Sequence, residues 1–213
     1  MGLWIVGNRL LLIKAEDIHW VTINGKHIPF KGSVPKDKRR IDITPSTRIR
    51  MTLKRIENKI RPAKVEHGYI VDRRGSVIWH GVGTKDSIDV TDAIEKGILK
   101  GNIFTHNHPK GTSFSSSDFE LLVTQKIHQL RISSTKYNYI ISLPVGFNYS
   151  NWSIAEIFNT YNYILFDVKE RMNKAISEGK IKSQFAELHI PHIVLLRMRK
   201  MVGIKYKRRQ RSE

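Results

Sequence analysis

Residues 105–118 have the sequence Thr-His-Asn-His-Pro-Lys-Gly-Thr-Ser-Phe-Ser-Ser-Ser-Asp, in which two histidines, a serine and an aspartate stand at short spacings. The apolar residues just before them predict a strand that ends near His106. Side chains at positions i and i+2 leave a strand on the same face, so His106 and His108 can converge on one ion. Two imidazoles and one carboxylate are the ligands of a catalytic zinc site whose fourth position stays open for water.

The end of this stretch also predicts the start of a helix. Ser115-x-x-Asp118 is a capping box of the aspartate type, and apolar residues follow it at helical spacing to about Leu130. A carboxylate in the first turn can face the helix dipole and bind a metal at the same time, so both interpretations of Asp118 are compatible. The predicted apolar stripe consists of Phe119, Leu122, Val123, Ile127 and Leu130.

The pattern His-x-His-Pro, a short spacer and Ser-x-x-Asp resembles the motif of the JAMM (MPN-plus) zinc metallopeptidases. With Asn107 between the histidines, it is most similar to the RadC-like branch and to the branch encoded by phages and mobile elements. The resemblance covers roughly residues 62–145, and the spacer has five residues, at 110–114, where the family usually has six. It implies an α/β fold of the JAMM/MPN type, which is cytidine-deaminase-like, with a mixed sheet flanked by helices.

The resemblance also implies roles for individual residues. His106, His108 and Asp118 would hold Zn²⁺, and Ser115 would stabilise the tetrahedral intermediate. A glutamate about forty residues upstream would act as the general base. Glu66 is the candidate because it begins a strand-like segment, whereas its rival Glu57 lies in a predicted helix where it would face solvent. The implied activity is zinc-dependent cleavage of an amide or isopeptide bond in a peptide substrate.

The charge of the chain is strongly positive. It contains 37 lysines and arginines against 19 acidic residues, a net charge of +18 at pH 7. This excess predicts a polyanionic partner, nucleic acid, whose binding weakens as salt rises. The basic residues concentrate in two places, Lys36–Lys64 and a basic C-terminal tail that follows Arg197.

Two other functions are compatible with these residues. The chain could be a catalytically inactive structural or phage-assembly protein associated with nucleic acid, or a RadC-like factor in DNA repair or recombination. A zinc measurement separates the enzyme from the structural protein. An HNH nuclease does not fit, because its three residues are dispersed over two strands and a helix, whereas His-Asn-His is contiguous here.

Composition excludes several classes of protein. The chain has no cysteine, which excludes disulfides, thiolate zinc sites and a cysteine nucleophile and fits a reducing compartment. No apolar run reaches the roughly 18 residues of a membrane span, so no membrane association is predicted. The expected location is the cytoplasm, or the virion if the protein is encoded by a phage.

The sequence divides into three predicted regions. Residues 1–61 contain a hairpin around Asn24-Gly25, a basic linker over residues 31–47 and a helix that Ser46 caps and that runs to about Ile60. Residues 62–147 form the metallohydrolase domain. Residues 148–213 form a C-terminal helical extension with the basic tail.

Further elements are predicted within the last two regions. In the metallohydrolase domain, a second hairpin turns at residues 72–75, a short helix begins at Thr91 and a strand spans residues 137–143. In the C-terminal extension, one helix spans residues 152–176. Another is predicted to be capped by Ser183, to run to about Val202 and to be interrupted by Pro191. The aromatic residues at 149–166 are predicted to belong to the core, because their spacing follows helix faces.

Overall fold

The computed structural model describes residues 47–143 and 152–210 and, before them, the backbone of four short strands. These strands are β1 (Gly2–Val6), β2 (Arg9–Ile13), β3 (Trp20–Ile23) and β4 (Lys26–Pro29). β1 pairs with β2 and β3 pairs with β4, both antiparallel. The hairpin predicted around Asn24-Gly25 is therefore confirmed. The linker predicted over residues 31–47 lies outside the described residues, apart from Thr47.

The larger part of the chain is an α/β structure with one mixed six-stranded sheet. Its strands are β5 (His67–Val71), β6 (Val77–Val82), β7 (Ile103–Asn107), β8 (Gln129–Ser133), β9 (Tyr137–Ser142) and β10 (Lys205–Gln210). Their order is β10-β9-β8-β7-β5-β6, with β7 and β8 parallel and all other neighbours antiparallel. The helices are α1 (Thr47–Ile60), α2 (Thr91–Glu95), α3 (Ser116–Thr124), α4 (Ile154–Ser177) and α5 (Ser183–Met201). The predicted α/β class with flanking helices is confirmed.

Helix α1 covers one face of the sheet. Its predicted apolar stripe is buried as expected, because residues spaced by three and four share one face of a helix. The stripe packs on β5 and β7 in a cluster made of Ile49, Leu53, Ile56, Ile60, Tyr69, Val71 and Ile103. Beside the stripe, Glu57 is also buried, contrary to the expectation that it faces solvent, because it bonds to Arg131 of β8 at 2.5 Å.

Helices α3, α4 and α5 cover the other face and enclose the main core. The ring of Phe119 in α3 stacks on Tyr161 of α4, with centroids 4.6 Å apart. Tyr161 is fully buried, while Phe158 and Tyr163 are partly buried against the same core, as predicted for this aromatic region. Phe166 differs, because its side chain is 67% exposed. No helix of the described residues has the length and apolarity to cross a membrane.

The predicted extent of α3 is wrong. The helix ends at Thr124, and Lys126 adopts a left-handed backbone conformation with φ 51°, which stops the helical hydrogen bonding. Ile127 and Leu130 are buried as expected, but Leu130 lies in strand β8 and not on a helix. β8 pairs in parallel with β7 and was missed, because its short apolar pattern also fits the helical repeat.

Three predictions about the C-terminus are also wrong. The N-cap of α5 is Lys182, without a side-chain capping bond, and Ser183 is the first helical residue. Pro191 lies inside α5 without interrupting it, since the turns beyond it bury Val194, Leu195 and Met198 in the core. The basic residues at 205–210 form β10 at the edge of the sheet and not a tail, because Tyr206 is buried and the strand pairs with β9.

Candidate metal centre

The two histidines of the central motif lie together in the middle of the sheet. His106 is on β7, between β5 and β8, and His108 follows the end of that strand. Both are buried, and their Nε2 atoms are 3.0 Å apart. The predicted convergence of the two imidazoles is therefore found. The ring of His106 stacks on Phe104, which fixes the plane of the imidazole, while its Nδ1 has no hydrogen-bond partner among the described residues.

Asp118 reaches the histidines from the first turn of α3. Its Oδ1 lies 3.1 Å from Nε2 of His106, and its Oδ2 lies 3.5 Å from Nε2 of His108. The same Oδ2 accepts hydrogen bonds from the backbone amide and the hydroxyl of Ser115, each at 2.7 Å. Since Ser115 in turn accepts from the amide of Asp118, the capping box is complete. The cap thus holds the carboxylate in place against the two imidazoles.

Glu66 approaches from the opposite side, just before β5. Its Oε1 is 3.8 Å from Nε2 of His108, and the side chain is buried. The backbone around it is held on both sides, because Glu66 N donates to Thr84 O and Gly83 N donates to Glu66 O. The pairing of Gly68 with His106 across β5 and β7 sets this position. A Cβ on Gly68 would stand 2.8 Å from the ring of Phe104, so only glycine allows the close approach.

These separations are close to those around a bound cation. Ligands about 2.1 Å from a tetrahedral ion lie roughly 3.4 Å from one another. Ligand atoms of Glu66, His106 and His108 all lie within 4.8 Å of one another, so this buried group could hold a metal ion. The carboxylate oxygens of Asp118 lie 3.1 Å from His106 and 3.5 Å from His108, so Asp118 is close enough to share an ion with both histidines. The cluster therefore offers two nitrogen and two carboxylate donors.

The protonation of the cluster is set by burial and by the neighbouring charges. Burial favours neutral His106, but the carboxylates of Asp118 and Glu66 together outweigh it and raise the pKa of that imidazole. Burial also opposes ionisation of Asp118, yet the two histidines and the hydrogen bond from Ser115 together outweigh it and lower the pKa of the carboxyl. Burial and the charge of His106 lower the pKa of His108 to about 4, so His108 is neutral at pH 7. A cation entering the cluster would replace the proton of His106.

Burial has the opposite consequence for Glu66. It raises the pKa of this carboxyl to about 7, with a smaller opposing contribution from His106. A carboxyl that titrates near neutrality can both accept and return a proton.

The loop between His108 and Ser115 is tied to the C-terminal part of the chain. Nδ1 of His108 lies 3.0 Å from the hydroxyl of Thr112, which orients the ring with Nε2 toward Asp118. The next residue, Ser113, lies 3.0 Å from the hydroxyl of Tyr206 on β10, and that hydroxyl lies 2.7 Å from Nδ1 of His192 on α5. All three side chains are buried. The last helix and strand thus support the five-residue spacer.

A cleft of about 340 Å³ opens onto the cluster. Glu66, His108, Ser115 and Asp118 line one part of it, so the structure brings together all five residues predicted for the site. Ser115 is exposed at its edge. The remaining walls combine apolar and charged side chains, among them Ile88, Val90, Phe104, Leu121, Lys85 and Lys110.

Asn107 is the residue of the site that sequence reasoning missed. Its side chain is fully buried on the face of β7 opposite His106. Its Oδ1 accepts from the amide of His67 at 2.7 Å, and its Nδ2 donates to the carbonyls of Val65 at 3.0 Å and Ala63 at 3.4 Å. The amide therefore clasps the backbone on both sides of Glu66. Its place between the two histidines was the only signal in the sequence.

Replacing Asn107 by alanine is expected to lower the free energy of unfolding by about 2–3 kcal/mol, because three backbone groups lose their partner in a buried place. Asn102→Ala, at the start of the same strand, removes one bond to the carbonyl of Ile98 and should cost about 1 kcal/mol. Urea unfolding of both variants measures the difference. Equal losses would show that Asn107 does not hold the backbone beside Glu66.

No family model matches the chain, and neither a curated protein nor a solved structure is significantly similar to it.

Proposed function

We propose that this protein is a zinc-dependent hydrolase of the JAMM type that cleaves an amide or isopeptide bond. On this proposal the mixed sheet is of the MPN-like, cytidine-deaminase-like kind. The observation that carries the proposal is the meeting of His106, His108 and Asp118 at 3.0–3.5 Å, with Glu66 on the other side. Three ligands and a nearby carboxylate are the parts that hydrolysis of an amide at neutral pH requires.

The donor set favours zinc over the alkaline-earth ions. Two imidazoles with one carboxylate suit zinc, whereas calcium and magnesium prefer oxygen ligands only. With Glu66 as a base and not a ligand, the fourth coordination position would remain for water from the cleft. When bound, zinc supplies a hydroxide at neutral pH and polarises a carbonyl oxygen.

The residues of the chain then have separate tasks. Glu66 accepts the proton of the attacking water at its Oε1 and passes it to the nitrogen of the leaving amine. Ser115 stands at the edge of the cleft, where its hydroxyl can turn from Oδ2 of Asp118 to donate to the developing oxyanion. Phe104 and Leu121 contribute apolar side chains to the wall of the cleft.

Metal content tests the proposal. The purified protein is expected to hold one zinc per chain by elemental analysis, and His108→Ala and Asp118→Asn are expected to hold none. Asparagine at 118 keeps an acceptor for Ser115, so the capping box survives the second change. His80→Ala is the matched control, since His80 is an exposed histidine of β6 outside the cluster.

The same measurement separates the alternatives. If the wild-type protein holds no metal at saturating zinc, the result would favour a structural or phage-assembly protein associated with nucleic acid. The net charge of +18 is consistent with that alternative. Zinc bound without any hydrolysis of peptide or isopeptide substrates would favour a RadC-like factor in repair or recombination.

A further inference from the structure

Described members of the two basic clusters of the sequence lie on the same face of the sheet. Residues opposite each other on paired strands project from the same face of a sheet. Arg131 stands opposite Ile140, and Ile140 stands opposite Lys207. Since Arg131 bonds to Glu57 of α1, Lys207 projects from the face that carries α1. Two further side chains of β10 project the same way, because they lie two residues from Lys207: Lys205 and Arg209.

Helix α1 contributes cations beside this edge of the sheet. Glu57 and Arg61 contact β8 and β9 and so mark the side of the helix turned toward β10. Arg50 and Lys54 lie seven and three residues before Glu57, which places them on that same side. Both are exposed, and neither forms an ion pair with a described residue. We name Arg50, Lys54, Lys205, Lys207 and Arg209 the α1–β10 surface.

Among the residues whose side chains the structure describes, no exposed acid lies on the elements that carry this positive charge. The elements α1, β8, β9 and β10 contain a single acidic residue, Glu57, which is buried and already paired with Arg131. The other described acids, apart from the buried Glu66, lie in residues 72–95 and 118–187, on other elements of the structure. The described residues of the α1–β10 surface therefore contribute charge of one sign, and such a surface attracts a polyanion.

In the described part of the chain, the α1–β10 surface also has no aromatic side chain that could stack on the bases of a single strand. Side chains between β10 and α1 on this face are Asn138, Ile140 and Ser142 of β9, and α1 itself has no aromatic residue. Proteins that bind single-stranded nucleic acid stack bases on aromatic rings, whereas contacts to a duplex backbone need only cations and polar groups. The aromatic residues of β9 project from the opposite face: Tyr137 and Tyr139, with Arg208 over the ring of Tyr137 at 4.8 Å.

We propose that the α1–β10 surface binds the phosphate backbone of double-stranded nucleic acid without reading its sequence. The metal centre lies on the other side of the sheet, because His106 is opposite Ile132 and Ile132 is opposite Tyr139. The duplex and a substrate in the cleft can thus be held at the same time. This proposal stands whether or not the metal centre is catalytic.

Fluorescence anisotropy with the full chain tests it, using a labelled 30-base-pair DNA of random sequence and the corresponding single strand. The duplex should bind more tightly than the single strand, with an affinity that falls steeply between about 50 and 200 mM salt. Lys54→Gln with Lys207→Gln should weaken duplex binding by about tenfold or more and reduce the salt slope by about 1.8, since each lost phosphate contact accounts for about 0.9. The matched control is Lys169→Gln with Lys182→Gln, two exposed lysines of α4 and the α5 N-cap.

Three outcomes would overturn the proposal: equal losses in the two double variants, an affinity indifferent to salt, or no binding of the wild-type protein to the duplex at 50 mM salt. Preference for the single strand, or for vesicles of anionic lipid, would also count against it. A second measurement needs no variant. Acetylation of the wild-type lysines should be slowed by the duplex at Lys54, Lys205 and Lys207 and unchanged at Lys169 and Lys182, and the reverse pattern would place the duplex elsewhere.

Discussion

Replacing Glu66 by glutamine is expected to lower the rate of peptide-bond hydrolysis by about two to four orders of magnitude. Glutamine has nearly the same shape as glutamate but cannot accept the proton of the attacking water. Because glutamine fills the same buried space next to His108, the loss of rate should reflect the missing carboxylate and not a change in packing. The measurement is the rate at which new amines appear from a peptide mixture, together with the zinc content of the variant.

Zinc content distinguishes two possible roles of Glu66. Its ligand atom lies within 4.8 Å of those of both histidines, so geometry permits it to be a ligand as well as a base. If Glu66 is only a base, Glu66→Gln should keep one zinc per chain while its rate of hydrolysis falls. A ligand would be revealed by lost or weakened zinc binding. Glu120→Gln on the exposed side of α3 is the matched control and should change neither the zinc content nor the rate of hydrolysis. An unchanged rate in Glu66→Gln would exclude both roles of Glu66.

The largest effect on stability is expected from Arg131→Ala, which should lower the free energy of unfolding by about 3–5 kcal/mol. Arg131 donates from Nε to Oε1 of Glu57 at 2.5 Å, between α1 and the sheet. Without the guanidinium, the carboxylate would remain in a dry place with only a 3.4 Å contact from the hydroxyl of Thr105. Urea unfolding measures the change. We expect the urea concentration at the midpoint to fall while the dependence of the free energy on urea stays the same.

Two controls separate an unpaired charge from lost packing. Adding Glu57→Gln to Arg131→Ala should recover part of the loss, since a neutral amide is less costly to bury than an unpaired carboxylate. Lys96→Ala breaks the exposed pair with Asp92 and should leave the unfolding midpoint nearly unchanged, because exposed ion pairs contribute little to stability. If the double variant were no more stable than Arg131→Ala, the penalty would come from packing and not from the charge.

Local sequence signals predicted the elements whose cause is local. The strand that carries His106, the capping box at Ser115, the turn at residues 72–75 and the apolar stripe of α1 all depend on neighbours within a few residues. The meeting of His106 and His108 belongs to this group, because strand geometry alone places positions i and i+2 on one face. The place of Asp118 in the first turn of α3 is also local, because it follows from the capping box with Ser115.

Elements that depend on distant partners were predicted poorly. β8 was assigned to the end of a helix, because its short apolar pattern also fits the helical repeat. β10 was assigned to a tail, because it becomes a strand only through pairing with β9, which is far away in sequence. Glu57 was expected in solvent, since nothing nearby in the sequence announces its bond to Arg131, 74 residues later. Asn107 escaped notice for the same reason, as its partners lie about forty residues upstream.

The sequence by itself therefore determined the donor set of the candidate metal centre, its local spacing and the overall positive charge. Only the tertiary structure decided that Glu66 stands beside His108, that the C-terminal strand supports the loop after His108, and that two separate basic clusters form one surface. The physical reason is the range of the interactions. Caps, turns and strand alternation act over a few residues, whereas sheet pairing and buried polar contacts join residues that only the folded chain brings together.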